Sequence, residues 1–539
     1  MLETRRRWLG LGVVSLGVAL IIVDSTIVNV AIPSIIDDIK ITSTQAQWIQ
    51  EIYTLVFAAL LLVFGRLADR FGRRRLFALG AVVFTLSSVL AAFSPSGGFL
   101  IAARAVQGIG GAMMLPTSLS LLNAEFRGRD RALAFGIWGA TIGGMAAVGP
   151  LLGGWLTTDF SWRWAFGINV PIGLVVVIGL YTLVNESREP GIRPGTDVPG
   201  AVLSVVGFGA LVFGLIEGRT YGWWSTAESF AVAGWTWPWD LSPIPVAFAI
   251  GAVCLAGFVA VELSRNRRDV VSMLDLSLFG ISSFRNGNVV AAIVSLGEFG
   301  LIFALPLWLQ NVVGYSAFQT GLVLLGLAGG SFFASGLVPM VSHRFGAINA
   351  VRVGLLLELL GLAGLGIFLR TTSTWAVVVP LLAVYGIGVG FATSQLTGVV
   401  LADVPVEKSG QGSGTQSTSR QVGSAFGIAI LGTILFSVLG SQLDAGLSDQ
   451  GVPQAQRAPL VAAVKSSAGA VIPGWSGQPA TAEVARLAKD AFTTATRDSA
   501  FTAAGFLLVG LIATASLGRG RREDALAGEH APQEEVASE

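Results

Sequence analysis

Fourteen long apolar runs, parted by short polar or basic turns, constrain this chain more than any other feature. At about 20 apolar residues per bilayer crossing, the sequence predicts helices over 8–33, 44–64, 76–94, 98–122, 132–156, 162–184, 199–218, 244–263, 286–311, 318–340, 349–369, 374–401, 413–440 and 499–517. Backbone groups in hydrocarbon must bond internally, so only helices or a closed barrel can span, and runs of this length select helices. Only 12% of residues are charged and 53% are hydrophobic, against about 25% charged in soluble domains. The expected class is an all-α integral membrane protein with little soluble mass. Arg5, Arg6 and Arg7 ahead of the first run imitate a signal peptide. That run is too long for a signal core and has no convincing small-residue cleavage site, so it is taken as the first span.

Composition removes several function classes. A net charge of +1 leaves no nucleic-acid footprint. Cys254 is the single cysteine, which excludes an intrachain disulfide. His343 and His530 are too few for a histidine metal site. The four lysines, Lys40, Lys408, Lys465 and Lys489, never follow a glycine, so no phosphate-binding G-x-x-x-x-G-K-[ST] loop exists. An ATP-driven pump or membrane enzyme is therefore not expected, and neither a cofactor nor a metal is implied.

Charge orients the chain. Arginines crowd alternate turns: Arg66, Arg70, Arg73, Arg74, Arg75; Arg127, Arg129, Arg131; Arg265, Arg267, Arg268; and Arg519, Arg521, Arg522. The opposite short turns hold only Lys40, Arg163, Arg219 and Arg370. Positive residues mark the cytoplasmic side, so both termini are expected in the cytoplasm, and the membrane is taken to be a bacterial inner membrane. Outside, Trp223, Trp224, Trp235, Trp237 and Trp239 fill the loop between the seventh and eighth spans. Tryptophan favours the headgroup layer, so that loop is expected to lie against the membrane, in the manner of a re-entrant hairpin. Segment 441–498 is expected to be a long outer loop whose end, from about Ala480 to Arg497, forms a helix. The 519–539 tail is expected to be disordered.

Ionisable groups inside spans are functional candidates by default. Asp24 lies in the first span, Glu51 in the second, Arg104 in the fourth and Glu298 in the ninth. At 1.5 Å per residue, Asp24 is roughly 14 Å, Glu51 roughly 10 Å and Arg104 roughly 8–9 Å below the outer boundary, and Glu298 roughly 20 Å above the inner one. The four are expected to share one layer and form one proton and cation site. Arg104 keeps its proton, so its role there is electrostatic. Candidate substrate contacts are Asp24, Glu51 and Glu298 with the amides Asn29, Gln107 and Gln395. Glu358 falls near the inner boundary and is set aside. Each acid also has a plain structural reading, as a hydrogen-bonding group between helices.

Gly65-Arg66-Leu67-Ala68-Asp69-Arg70-Phe71-Gly72-Arg73-Arg74-Arg75 joins the second and third spans. A weaker copy, Val341-Ser342-His343-Arg344-Phe345-Gly346, follows the tenth. The fifth span carries a stripe of small residues ending in Gly149-Pro150, a site of close packing and a bend. The basic turn resembles the signature loop of the major facilitator superfamily. With Asp24–Pro33, the Arg104-x-x-Gln107-Gly108 pattern, Gly149-Pro150, Trp162–Pro171, Gly314–Gly321 and Arg420–Gly423, the chain resembles the fourteen-helix drug:proton antiporters of that superfamily over about 8–440. Trp48–Tyr53 is similar to exporters of organic cations, with Glu51 where aspartate is usual.

The resemblance implies a major facilitator fold with 14 transmembrane helices. Residues 1–184 and 286–518 would be two six-helix bundles, with two inserted helices in 185–285. It implies that the eleventh span is peripheral, and that Gly65, Asp69, Arg70, Gly72, Arg73, Gly149 and Pro150 govern conformational change, with Arg127, Arg129 and Arg131 as partners of the loop. It implies a monomeric, proton-coupled exporter of lipophilic, cationic drugs. A carrier of lipids or cell-envelope precursors stays open, favoured by the tryptophan loop.

Overall fold

The computed structural model describes residues 2–41, 43–188, 197–232, 235–268, 270–479 and 481–517; the 519–539 tail lies outside them. The described residues are mainly helical: α1 (Leu2–Ile39), α2 (Ser43–Phe71), α3 (Arg73–Ala92), α4 (Gly97–Glu125), α5 (Gly128–Asp159), α6 (Trp164–Gly167), α7 (Asn169–Leu183), α8 (Val198–Tyr221), α9 (Pro243–Arg267), α10 (Ser282–Trp308), α11 (Ala317–Phe345), α12 (Ala347–Phe368), α13 (Trp375–Val400), α14 (Ser409–Asp449), α15 (Gln454–Ser466), α16 (Ile472–Ser476) and α17 (Ala482–Ala513). Among the described residues twelve helices are long and apolar enough to cross a membrane, and α5 makes thirteen when its two arms count as one span. Those arms, Asp130–Met145 and Val148–Thr157, meet at 41°. Pro150 explains the bend, because it cannot donate to the carbonyl one turn earlier.

Helix starts follow local chemistry. Ser316 and Gln319 form a reciprocal capping box on α11. Asp197 caps α8 and Ser242 caps α9, each just ahead of a proline in the first turn. Gly72 alone separates α2 from α3, at φ 106°, and Gly346 alone separates α11 from α12, at φ 81°. Both positions need a residue without Cβ. The weak sequence repeat is thus a repeat of the backbone turn, although the second copy lacks the first one's charges.

Two sets of helices pack internally, α1 with α5 and α7 and α2 and α3 with α4, then α10 with α14 and α17, α11 with α13, and α12 with α13 and α17. They meet along α5 against α11 and α13, and along α14 against α2 and α4. α8 and α9 pair with each other, and α8 also lies on α2 and α14.

Two outer segments carry secondary structure of their own. The tryptophan-rich loop is a two-stranded antiparallel ribbon, β1 (Ala231–Val232) with β2 (Trp235–Thr236). Its rings stack edge to face, Trp237 on Trp239 at 4.7 Å and on Trp235 at 5.9 Å. Segment 441–498 is helical for most of its length. α14 continues to Asp449, α15 folds back with Arg457 paired to Asp444 at 3.3 Å, and α17 begins at Ala482. Leu443, Leu447, Val464, Ile472, Ala488 and Phe492 are buried there. Its polar composition concealed an apolar face spread over four helices, α14 to α17.

Candidate functional site

Asp24 is fully buried where α1, α3, α4 and α7 converge, at 0% exposure. Arg104 Nη1 donates to its Oδ2 at 2.5 Å, and Gln107 Nε2 and Asn169 Nδ2 donate to its Oδ1 at 2.7 Å each. Ser88 Oγ accepts from both amides, at 2.9 Å and 3.2 Å. Arg104 and Gln107 reach the same carboxylate because three residues separate them on α4. Asn169 arrives because the Trp162–Pro171 segment forms α6 and then starts α7 at that asparagine. Arg104 has further support: Gln107 Oε1 at 2.6 Å, the Ile49 carbonyl at 3.2 Å, and the Tyr53 ring 4.3 Å from its guanidinium. The charges balance and each polar group is bonded, which is what a low-dielectric interior demands.

Glu51 does not join this cluster. Ile49 and Tyr53 turn toward Arg104, and a residue midway between them on α2 points the opposite way. Glu51 faces α8 and meets Glu217, a second buried acid. Gln47 Nε2 reaches both carboxyls at 3.3 Å and Thr220 Oγ1 at 2.6 Å. Arg219 supplies the nearest positive charge.

Glu298 forms a third cluster, between α10, α13 and α14. Thr393 Oγ1 donates to it at 2.9 Å and Arg420 Nη2 at 3.2 Å. Glu358 of α12, set aside on sequence grounds, lies within electrostatic reach of both Glu298 and Arg420. Gln395 is buried but turns to α11, accepting from Ser342 at 2.9 Å, while Thr393, two residues earlier, serves Glu298. The expected single layer of three acids and one arginine is therefore three separate clusters. The Asn29 side chain lies outside those described.

The Asp69 loop ties the two sets together. Asp69 accepts from Arg73 at 2.8 Å and from the backbone N–H groups of Gly410 at 2.7 Å and Gln411 at 2.9 Å. Those are unsatisfied donors of the first turn of α14, where the helix dipole also favours an anion. Arg73 donates onward to the Val406 carbonyl at 2.6 Å, and Asn123 Nδ2 to Ser409 Oγ at 2.7 Å. Gly65 is the crossing point of α2 and α14; a Cβ there would lie 2.5 Å from the Gly410 carbonyl oxygen and 2.8 Å from Gly414 Cα. At Gly149 a methyl group would run into the Thr26 hydroxyl, so α1 and α5 touch there. Arg70 lies over the Phe71 ring at 5.3 Å. Of the partners expected for the loop, Arg127 binds the Asn123 carbonyl at 2.6 Å and Arg131 the Gly398 carbonyl at 3.4 Å, and the Arg129 side chain lies outside those described. Arg73 together with the start of α14, not a second basic loop, neutralises Asp69.

Asn169, Ser88, Glu217, Thr393 and Arg420 enter clusters with no role assigned from sequence. Asn169 and Arg420 sat inside recorded motifs. Glu217 fell one residue from the predicted end of its span, whereas α8 runs on to Tyr221.

The family model of the Major Facilitator Superfamily matches residues 14–428. A probable actinorhodin transporter of Streptomyces coelicolor is 36% identical over 455 residues, 82% of this chain and 75% of that protein. The multidrug efflux pump LfrA of Mycolicibacterium smegmatis is 34% identical over 449 residues, 83% of this chain and 84% of that protein. Among solved structures, the human organic anion transporter MFSD10 superposes with a TM-score of 0.58 at 14% identity, covering 94% of this chain and 99% of that one. The proton:xylose symporter XylE gives 0.57 at 14% identity, covering 94% and 96%. The helical architecture, the basic loop that fastens α2 and α3 to α14, and these matches lead to one conclusion: the chain is a membrane transporter, not an enzyme, and belongs to the Major Facilitator Superfamily.

Proposed function

We propose that this transporter is a proton-coupled exporter of lipophilic cations working by alternating access. The carrying observation is Asp24, a fully buried carboxylate held by Arg104, Gln107 and Asn169 inside an apolar bundle. The relatives' names, a multidrug efflux pump among them, support drugs as the cargo class. α10, 27 residues long, would be the fourteenth span. Residues 1–184 and 286–518 would be the two bundles, with α8 and α9 inserted between them. The arginine-rich turns argue for cytoplasmic termini and an inner membrane, and a monomer carries a complete set of these groups.

In this reading the Asp69 latch closes the cytoplasmic end, and protons arrive from outside. A proton on Asp24 removes the anion that Arg104 faces. Arg104 then keeps the Gln107 oxygen, the Ile49 carbonyl and the Tyr53 ring, so the exchange does not strand a buried cation. The cation itself is met by Glu51 with Glu217 or by Glu298. One proton in for one monovalent cation out moves no net charge and draws only on the pH gradient, about 1.4 kcal/mol per unit. A second proton would draw on the voltage as well, about 2.3 kcal/mol per 100 mV.

The test is proton release from energised inverted vesicles when a quaternary ammonium dye is added. Partial collapse of the pH gradient in wild type, absent in Asp24→Asn, is the expected result. Were no cation to collapse it with the protein present, transport of lipids or envelope precursors would lead instead; the exposed Trp224, Trp235 and Trp239 of the outer ribbon favour that second reading.

A further inference from the structure

Glu358 is fully buried in α12, and neither of its carboxyl oxygens has a hydrogen-bond partner among the described residues. The helix around it packs tightly on α13: a methyl group on Gly388 would come within 2.7 Å of Glu358 Cγ. The ionisable groups facing it are few. α10 offers Glu298, α13 offers Tyr385, whose hydroxyl donates to the Glu298 carbonyl at 3.1 Å, and α14 offers Arg420, bound to Glu298 Oε2 at 3.2 Å. From α17, Arg497 is bound to the Gly366 carbonyl, about 12 Å along α12. Arg352, on α12 itself, is bound to Thr514 Oγ1, about 9 Å the other way. α11 contributes the exposed Arg344 near that end.

One guanidinium, bonded to Glu298, thus lies within electrostatic reach of two buried carboxyls. An uncompensated charge in such a place costs several kcal/mol, and like carboxyls sharing one site do not both ionise readily. Arg420 already sits on Glu298. We propose that Glu358 holds an exchangeable proton shared with Glu298 opposite Arg420, a second proton-exchange site separate from Asp24 and Arg104. Its existence rests on the burial of Glu358, its two unpartnered oxygens and the electrostatic reach of Glu298 and Arg420; its use in transport rests on the exporter reading. With one proton on board, the trio is neutral. When that proton leaves to water, two carboxylates and one guanidinium remain, a net charge of −1. A monovalent lipophilic cation cancels that charge. Proton and cation therefore compete for one site, which couples their binding without direct contact between them.

Infrared difference spectroscopy on the purified full chain tests the pair without transport. Glu358→Gln preserves the shape of the protonated acid, and the wild-type-minus-variant spectrum should contain a protonated-carboxyl band that shifts on exchange into D2O. Glu298→Gln should abolish the same band, because Glu358 alone would then ionise against Arg420. Asp24→Asn should leave it in place. A band that survives either glutamine variant, or that fails to exchange, overturns the proposal. In vesicles, Glu358→Gln should lower the proton-to-cation ratio by about one and weaken the dependence on voltage; an unchanged ratio reduces Glu358 to a structural acid and overturns its part in coupling. If wild type moves no protons with any cation, the exporter reading falls, and the infrared result still decides the pair.

Discussion

At the residue scale, the transporter separates its acids by what faces them. Asp24 has a dedicated arginine, Glu51 has another acid, and Glu298 and Glu358 share one arginine. Asp24→Asn should therefore abolish proton-coupled export. Breaking a buried pair costs about 3–5 kcal/mol when the survivor is stranded. Arg104 keeps three other partners, so we expect the low end and a folded protein, read as a lowered but cooperative melting transition. A non-cooperative melt would refute the claim that those contacts suffice. Glu51→Gln should harm export of divalent lipophilic cations more than monovalent ones, and Glu217→Gln should do the same if the two act as a pair. Equal losses for both cation classes would separate them. Outside the spans, hydrogen bonds from Arg163 and Trp162 hold the Asp38 carboxyl below its ordinary value of 3.8. A depressed value means the tie between α1 and the start of α6 is complete at neutral pH and weakens only as pH falls through that lowered value. Hydrogen exchange at 38–40 that loosened already near pH 6 would contradict it.

At the element scale, the latch depends on a carboxylate meeting a helix start. Asp69→Asn keeps one acceptor oxygen and loses the charge, so the closed arrangement should weaken by about 1–2 kcal/mol. In a Cys254→Ser background, a cysteine replacing the buried Ser409 should then react roughly tenfold faster with a polar thiol reagent. Gly65→Val, which places atoms where α14 crosses, should raise reactivity further; protection equal to wild type in both variants would refute the latch. Helices, basic turns and the shared face of Arg104 and Gln107 were legible because each depends on local spacing along one chain segment, whereas Asp24 was set beside Arg104 by depth alone, together with Glu51 and Glu298. Partners of Asp69 were not, because a helix N-terminus offers backbone donors that no side-chain letter records. Glu217 escaped because α8 runs past the predicted end of its span, and Glu358 because it was counted near the inner boundary, although about 14 Å of helix separates it from the predicted inner end. The direction in which a side chain turns, as at Glu51, depends on the helix that packs against it. The fold of 441–498 was hidden because its apolar residues are shared among α14, α15, α16 and α17, a few on each.

At the scale of the whole molecule, α8 and α9 are connected to the contact between Asp69 and α14. Asp197 and Glu262 accept backbone N–H groups of Met273 at 3.1 Å and Leu274 at 3.2 Å. Asp275 then pairs with Lys408 and donates its own N–H to Gln411 Oε1 at 2.7 Å. Gln411 is one of the two residues whose N–H groups hold Asp69. The Asp275 to Lys408 pair is partly exposed, so Asp275→Ala should cost no more than about 1 kcal/mol of stability. Its larger expected effect is on turnover, because α8 and α9 would no longer follow α14; unaltered transport rates would show them to be independent. α14 itself is 41 residues long, about 60 Å at 1.5 Å per residue, twice a hydrocarbon core of about 30 Å. One end is the latch and the other carries α15. In the proposed alternating-access cycle it would be a lever with the membrane as its fulcrum, and about five degrees of rocking would move a tip about 30 Å from the midplane by about 2–3 Å. A label on that tip would report the position of the opposite gate from across the membrane, and a binder that clamped the tip would stall the gate without ever reaching it.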